Sequence, residues 1–216
     1  EMELIAEGVY KTLQKKVILN NINLKLYSGN IYAFIGRNGS GKTMLFRALS
    51  GLIKCDSGKI VLDGKVLHKD FSVMPNQGIV LENAGLYPNL TGKQNLLYLA
   101  NINHKVGEED VVKTLQRVGL NPQDKRIYQK YSLGMKQRLI IAQAIMEKPD
   151  IIFLDEPTNS LDENGVNEIR TIIKQERDRG ALILLSSHNN DDIMELADKV
   201  YKMESGEIKE WNNEKS

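Results

Sequence analysis

Eight residues, Gly36-Arg37-Asn38-Gly39-Ser40-Gly41-Lys42-Thr43, constrain what this chain can fold into because of what flanks them. Before them, Ser28-Gly29-Asn30 turns the chain into the apolar run Ile31 to Ile35, which reads as a buried strand. After them, Leu45, Ala48, Leu49 and Leu52 follow helical spacing, and Gly51 stands where a C-terminal glycine ends a helix. Strand, glycine-rich loop and helix in that order match the phosphate-loop pattern in the context it requires. Gly36, Gly39 and Gly41 let the loop's backbone N–H groups, with those of Asn38 and Ser40 among them, turn inward around phosphate oxygens, and the helix start adds partial positive charge. Lys42 is expected to reach the β and γ phosphates, and the Thr43 hydroxyl to ligate Mg²⁺.

The rest of the chain supplies the setting for such a loop. Upstream, Ile18, Ile22, Leu24 and Leu26 fall mainly on alternate positions, predicting an antiparallel β start. Lys59 to Val66, with Asp63-Gly64 at its centre, reads as a hairpin, and Gly78 to Leu81 as a short strand. Residues from about 86 to 149 then hold no convincing strand. They carry helical patterns instead, one opened by Thr91 with Gln94 three residues on, one from Glu108 to Gly119, and one opened by Ser132 with apolar Leu139, Ile140, Ala144 and Ile145. Strand periodicity returns at Ile151 to Leu154, followed by a helix from about Glu163 to Arg179 and a strand from Ala181 to Leu185, a βαβ unit. A last helix near 191–197 and a hairpin turning at Ser205-Gly206 close the pattern. The expected fold class is α/β: a mostly parallel central sheet, an N-terminal antiparallel β subdomain, and an α-helical subdomain at about 86–149 inserted in a single domain spanning 1–216.

Composition narrows the function classes. Lys plus Arg number 29 against 28 Asp plus Glu, a formal charge of +1, so there is no electrostatic footprint for nucleic-acid binding. The single cysteine, Cys55, rules out an intramolecular disulfide and every multi-cysteine zinc pattern. No apolar run approaches the roughly 20 residues needed to span a bilayer, and no signal-peptide core is visible, so the chain itself is not expected to form a membrane channel.

A second constellation completes the chemistry. Ile151-Ile152-Phe153-Leu154-Asp155-Glu156 places two carboxylates at the end of an apolar strand, where the phosphate edge of a parallel sheet is expected. Adjacent side chains point differently and can divide the labour: Asp155 would hold the Mg²⁺ shell while Glu156 polarises an attacking water.

With these motifs in order, the chain resembles an ATP-binding-cassette (ABC) ATPase over essentially its whole length. Tyr131-Ser132-Leu133-Gly134-Met135-Lys136-Gln137-Arg138 occupies the signature position, Ser160-Leu161-Asp162 follows the acidic strand, and Ser187-His188 follows the next strand. The signature departs from Leu-Ser-Gly-Gly-Gln: Ser132 and Gly134 are kept, while Tyr131, Leu133 and Met135 replace the other three residues. The resemblance implies the ABC ATPase fold, with ATP and Mg²⁺ as cofactors. It also implies that Ser132 and Gly134 complete the ATP site of a second subunit, giving a head-to-tail homodimer or heterodimer closed by ATP. Asp162 would lie at the dimer seam, and His188 would contact the γ-phosphate. Glu82 stands where the family usually carries a glutamine that touches Mg²⁺ and senses the membrane subunit. The adenine-stacking aromatic falls at Leu13 in an ungapped alignment, with Tyr10 three residues earlier, so either apolar packing replaces stacking or Tyr10 takes the role.

Glu82, Leu86-Tyr87-Pro88-Asn89-Leu90-Thr91-Gly92 and the Ser-Leu-Gly-Met signature are similar to ATPase subunits of bacterial bacitracin- and lantibiotic-type exporters. The implied function is an ATPase driving a separately encoded transmembrane permease in export, of an antimicrobial peptide or another drug-like compound, held at the cytoplasmic membrane through that permease. Leu86, Tyr87 and Leu90 either receive the permease or pack internally. A soluble ABC ATPase of translation or chromosome maintenance is the alternative. The single cassette, the near-neutral charge and the lack of long coiled-coil insertions weigh against it.

Overall fold

The computed structural model describes residues 1–81 and 85–211. Ten strands and six α-helices follow in chain order among these residues: β1 (Glu3–Leu13), β2 (Lys16–Tyr27), β3 (Ile31–Ile35), α1 (Lys42–Ser50), β4 (Ser57–Leu62), β5 (Lys65–Val66), β6 (Gln77–Val80), α2 (Gly92–Asn103), α3 (Glu108–Arg117), α4 (Leu133–Ile145), β7 (Ile151–Asp155), α5 (Glu163–Asp178), β8 (Leu182–Ser186), α6 (Asn190–Leu196), β9 (Lys199–Glu204) and β10 (Glu207–Glu210). The first sheet is antiparallel, in the order β2-β1-β4-β5. The second, in the order β10-β9-β3-β8-β7-β6, is parallel throughout except for the β9–β10 hairpin at its edge.

The central strands are apolar on both faces because both are covered, as a parallel sheet requires. Period-two alternation sorts their side chains. Phe34, Ile151, Phe153, Leu182 and Leu184 face the antiparallel sheet and α1, where Phe34 meets Phe46 edge-on at 5.5 Å. Ile152, Leu154, Ile183 and Leu185 face the other way and share one apolar core with α2 to α6. Each such fully buried side chain contributes about 1.5–3 kcal/mol relative to exposure. Parallel register decides the rest: Phe34 and Asp155 both align with Ser186, so the C-terminal ends of β3, β7 and β8 share one edge.

Local signals hold where they were local. Thr91 and Gln94 form the capping box of α2, Ser132 caps α4 by accepting from the Met135 N–H at 3.2 Å, and Gly51 closes α1 in the left-handed region at φ 86°. β6 and β8 are each displaced by one residue from the expected spans, because ladder pairing rather than apolar content sets their ends.

α4 lies against the edge strand β6, and its Gln143 Nε2 donates to the Ile79 carbonyl at 2.7 Å, satisfying an acceptor that an edge would leave unpaired. That approach requires glycine at 78, where a Cβ would collide with the Ala144 carbonyl oxygen and stand 3.0 Å from Pro149 Cγ. Gly78→Ala is therefore expected to cost about 1–3 kcal/mol by overpacking. An unchanged thermal unfolding midpoint would contradict this packing.

Candidate nucleotide site

The phosphate loop leaves β3 and closes on α1, and its glycines hold backbone that other residues would strain. Gly41 sits at φ 108° with room for no side chain, since a Cβ would lie 2.9 Å from the Ile18 carbonyl oxygen; at Gly36 a Cβ would strike the Met203 carbonyl oxygen. The first turn of α1 carries no acidic residue and no side-chain cap, so its N–H groups keep their positive end toward the loop. Lys42 is buried at 7% exposure, and its ammonium donates to the carbonyls of Gly36 and of Arg37 (3.1 Å). Burial lowers its pKa from the ordinary lysine value, and the carboxylates of Glu156 and Asp155 oppose that shift.

The acidic strand end meets this loop. Thr43 Oγ1 donates to Asp155 Oδ2 at 2.9 Å, and Ser186 Oγ donates to the other carboxylate oxygen. A hydroxyl and a carboxylate so placed are hard oxygen donors suited to Mg²⁺, which takes few protein ligands and shares the rest with phosphate and water. Among the described residues no group of three or more His, Cys, Asp or Glu side chains is placed to hold a metal ion. Glu82 lies outside the described residues.

Glu156 follows with φ 51°, a left-handed backbone that a non-glycine residue adopts only when its surroundings impose it. The hold comes from its own N–H, which donates to the Ser186 carbonyl at 3.0 Å. The turn separates its side chain from that of Asp155. Glu156 Oε2 accepts from the His188 backbone N–H at 3.1 Å, and the His188 ring Nε2 lies 3.0 Å from Asn38 Oδ1 in the phosphate loop. Oε1 of Glu156 is buried without a hydrogen bond, although His188 Nε2 stands 3.2 Å from it. The loop, the acidic pair and the histidine, dispersed in sequence, thus converge.

Together they line a cavity of about 580 Å³ whose wall includes Asn38, Lys42, Thr43, Asp155, Glu156 and His188. Such a cavity suits a polyphosphate: a cation and loop N–H groups can bind the oxygens, and a carboxylate in the same wall can accept a proton. Sequence reading missed Lys16, Ile18, Asn159 and Gln137, which also line it. Gln137 had a usable signal, its place in the signature segment; its Nε2 donates to the Pro157 carbonyl at 3.0 Å, just beyond Glu156.

Other expected site residues lie apart from the cavity. Ser132 and Gly134 are not in its wall. Ser132 is the exposed cap of α4, followed by Leu133 at 71% exposure. Gly134 lies under the loop after β7, where a Cβ would stand 3.0 Å from the Ser160 carbonyl oxygen. Asp162 caps α5 by accepting from the Gly165 N–H at 2.8 Å. Tyr10 and Leu13 are both partly exposed and outside the wall. Of Leu86, Tyr87 and Leu90, Leu86 packs against the core, Tyr87 is exposed and meets Tyr98 edge-on at 4.9 Å, and Leu90 is half-buried.

Comparison with known proteins agrees with this geometry. The family profile described as ABC transporter matches residues 19–159. The uncharacterized ABC transporter ATP-binding protein YybJ of Bacillus subtilis is 46% identical over 198 residues, 92% of this chain and 91% of that protein. The bacitracin transport ATP-binding protein BcrA of Enterococcus faecalis is 37% identical over 99% of this chain and 70% of its own length. The lantibiotic transport ATP-binding protein SrtF of Streptococcus pyogenes is 36% identical over 94% and 87%. In fold, a crystal structure of a nucleotide-free ATP-binding cassette from an ABC transporter superposes with a TM-score of 0.83 at 23% identity, covering 99% of this chain and 92% of that one. The same two-sheet frame carrying a phosphate loop, and relatives matched along nearly the whole chain, lead to one conclusion: this protein belongs to the ABC transporter family and is an ATP-hydrolysing, ATP-binding subunit of a transport system.

Proposed function

We propose that the chain hydrolyses MgATP in the phosphate-loop cavity and that this turnover powers export through a separate transmembrane permease. In this reading the loop N–H groups of Gly36, Asn38, Gly39, Ser40 and Gly41 and the Lys42 ammonium bind the phosphates. Thr43, Asp155 and Glu82 would hold Mg²⁺, which would supply charge neutralisation for the phosphates. Glu156 takes the proton of the attacking water, and His188 orients Glu156 and meets the γ-phosphate. The observation that carries the reading is the convergence of Lys42, Asp155, Glu156 and His188 on one cavity wall, with His188 Nε2 3.2 Å from Glu156 Oε1. The test is MgATP turnover by the full chain and by His188→Ala, which is expected to lose about 10²-fold or more in rate. Wild-type turnover in that variant would overturn the assignment.

Ser132 and Gly134, outside the cavity wall, serve the site of a second ATPase subunit, identical or related, in a dimer closed by ATP. The exposed Leu133 beside them supports a surface that becomes covered. Residues about 86–131 of the helical subdomain form the surface that receives the permease. Tyr87, Tyr98 and Ile102, all exposed on or beside α2, support that docking face. No helix among the described residues is long and apolar enough to cross a membrane, and attachment to the cytoplasmic face through the permease fits this reading. The names of BcrA and SrtF, which print bacitracin and lantibiotic transport, support an antimicrobial peptide or similar compound as the cargo class.

Glu82, which in sequence falls between β6 and the helical subdomain, is assigned both metal contact and coupling. Its carboxylate should strengthen Mg²⁺ binding relative to the family's usual glutamine. Glu82→Gln is expected to raise the Mg²⁺ concentration needed for half-maximal turnover, and Glu82→Ala also to lower stimulation by the permease. Glu82→Ala behaving as wild type in both assays would reject the two roles.

A further inference from the structure

Outside the cavity wall, a fully buried carboxylate joins the two loops that carry Glu156 and His188. Asp192, in the first turn of α6, is 0% exposed. Its Oδ2 accepts from Thr158 Oγ1 at 2.5 Å and from Ser187 Oγ at 2.9 Å. Its Oδ1 accepts from Arg170 Nε at 2.7 Å, and the same guanidinium reaches Glu195 through Nη1 at 2.9 Å. Thr158 lies two residues beyond Glu156, and Ser187 immediately precedes His188. One oxygen therefore holds a hydroxyl from each catalytic loop, and the guanidinium of α5 supplies the counter-charge that a buried carboxylate needs.

We infer that Asp192 is a positioning residue that sets the distance between Glu156 and His188 by clamping Thr158 and Ser187 to one carboxylate oxygen. The inference rests on the proposed roles of Glu156 and His188. Packing alone would not need this arrangement. The apolar core already joins α5 and α6 to the sheet through Ile169, Ile172, Ile173 and Leu196, and an ion pair of Arg170 with Asp192 alone would satisfy both charges without either hydroxyl. The hydroxyls add a link from loop to loop. On the cavity side the same two loops are joined by the His188 N–H on Glu156 Oε2, and Ser187 Oγ further accepts from the Asn189 N–H at 3.0 Å, fixing the turn that carries the imidazole. Clamped front and back, the acid and the histidine share one relative placement. Misplacement by about 1 Å is enough to cost on the order of 10²-fold in rate.

Ser187→Ala and Thr158→Val test this while leaving the Arg170–Asp192 pair intact. Each is expected to lower kcat about tenfold with KM for MgATP within about twofold, and Asp192→Asn to lower kcat about 10²-fold. Glu195→Gln, which loosens Arg170 on its exposed side, is expected to keep wild-type kcat. Because Ser187 acts through His188, adding Ser187→Ala to His188→Ala should cost less than about twofold more. A His188→Ala enzyme with wild-type kcat would overturn the underlying site reading. If His188→Ala is impaired as expected, three results overturn the clamp: hydroxyl variants with wild-type kcat, losses that multiply with that of His188→Ala, or an equal loss in Glu195→Gln.

Discussion

Lys42→Ala is expected to abolish ATP turnover. The ammonium is the cation buried in the cavity wall beside two carboxylates, Asp155 and Glu156. Burial already disfavours its charged form, so the charge is retained at a desolvation cost that a phosphate partner offsets through charge-assisted hydrogen bonds. Two of its three donors rest on the carbonyls of Gly36 and Arg37, so the same side chain also shapes the loop. Alanine removes the phosphate contact and the loop brace together and leaves Asp155 and Glu156 to repel an anionic ligand. Steady-state ATPase measurement and nucleotide titration of the purified variant check this, and near-normal hydrolysis would reject the site assignment.

Glu156→Gln is expected to lose roughly 10²- to 10⁴-fold in hydrolysis while still binding ATP, because the change removes a proton acceptor but leaves the phosphate contacts alone. Glutamine keeps an oxygen for the His188 N–H and nearly the same volume, so the left-handed turn at 156 should persist. ATP then accumulates unhydrolysed. If the signature of one subunit completes the site of another, the ATP-loaded variant should elute as a dimer on sizing with MgATP. A strictly monomeric, ATP-loaded species at high protein concentration would count against the composite site, and substantial residual turnover would count against Glu156 as the base.

Much of this was legible in the residues because it is written locally. The phosphate loop announces itself through contiguous glycines between a strand and a helix, the acidic pair through its place at the end of an apolar run, and the caps Thr91, Ser132 and Gly51 through short-range backbone chemistry. Gly134 is different. Its glycine reads as part of a nucleotide contact, yet within the chain it is also explained by the close approach of the Ser160 carbonyl, a restriction set by a segment on another element.

Residue pattern alone determined the order of elements and both covered faces of the central strands, and it nominated the groups proposed to bind phosphate, hold metal and accept a proton. Those properties depend on neighbours a few positions away. Only the tertiary structure decided which loops meet. His188 reaches Asn38 across 150 residues, Ser186 holds both Asp155 and the backbone of Glu156, and Asp192, which in sequence is an ordinary acidic residue in a helix's first turn, becomes the buried acceptor for Thr158 and Ser187. The physical reason is register. Periodicity reports which face of a strand is buried, but the alignment of parallel neighbours, here Phe34 and Asp155 against Ser186, fixes which strand ends share an edge and so which side chains can touch.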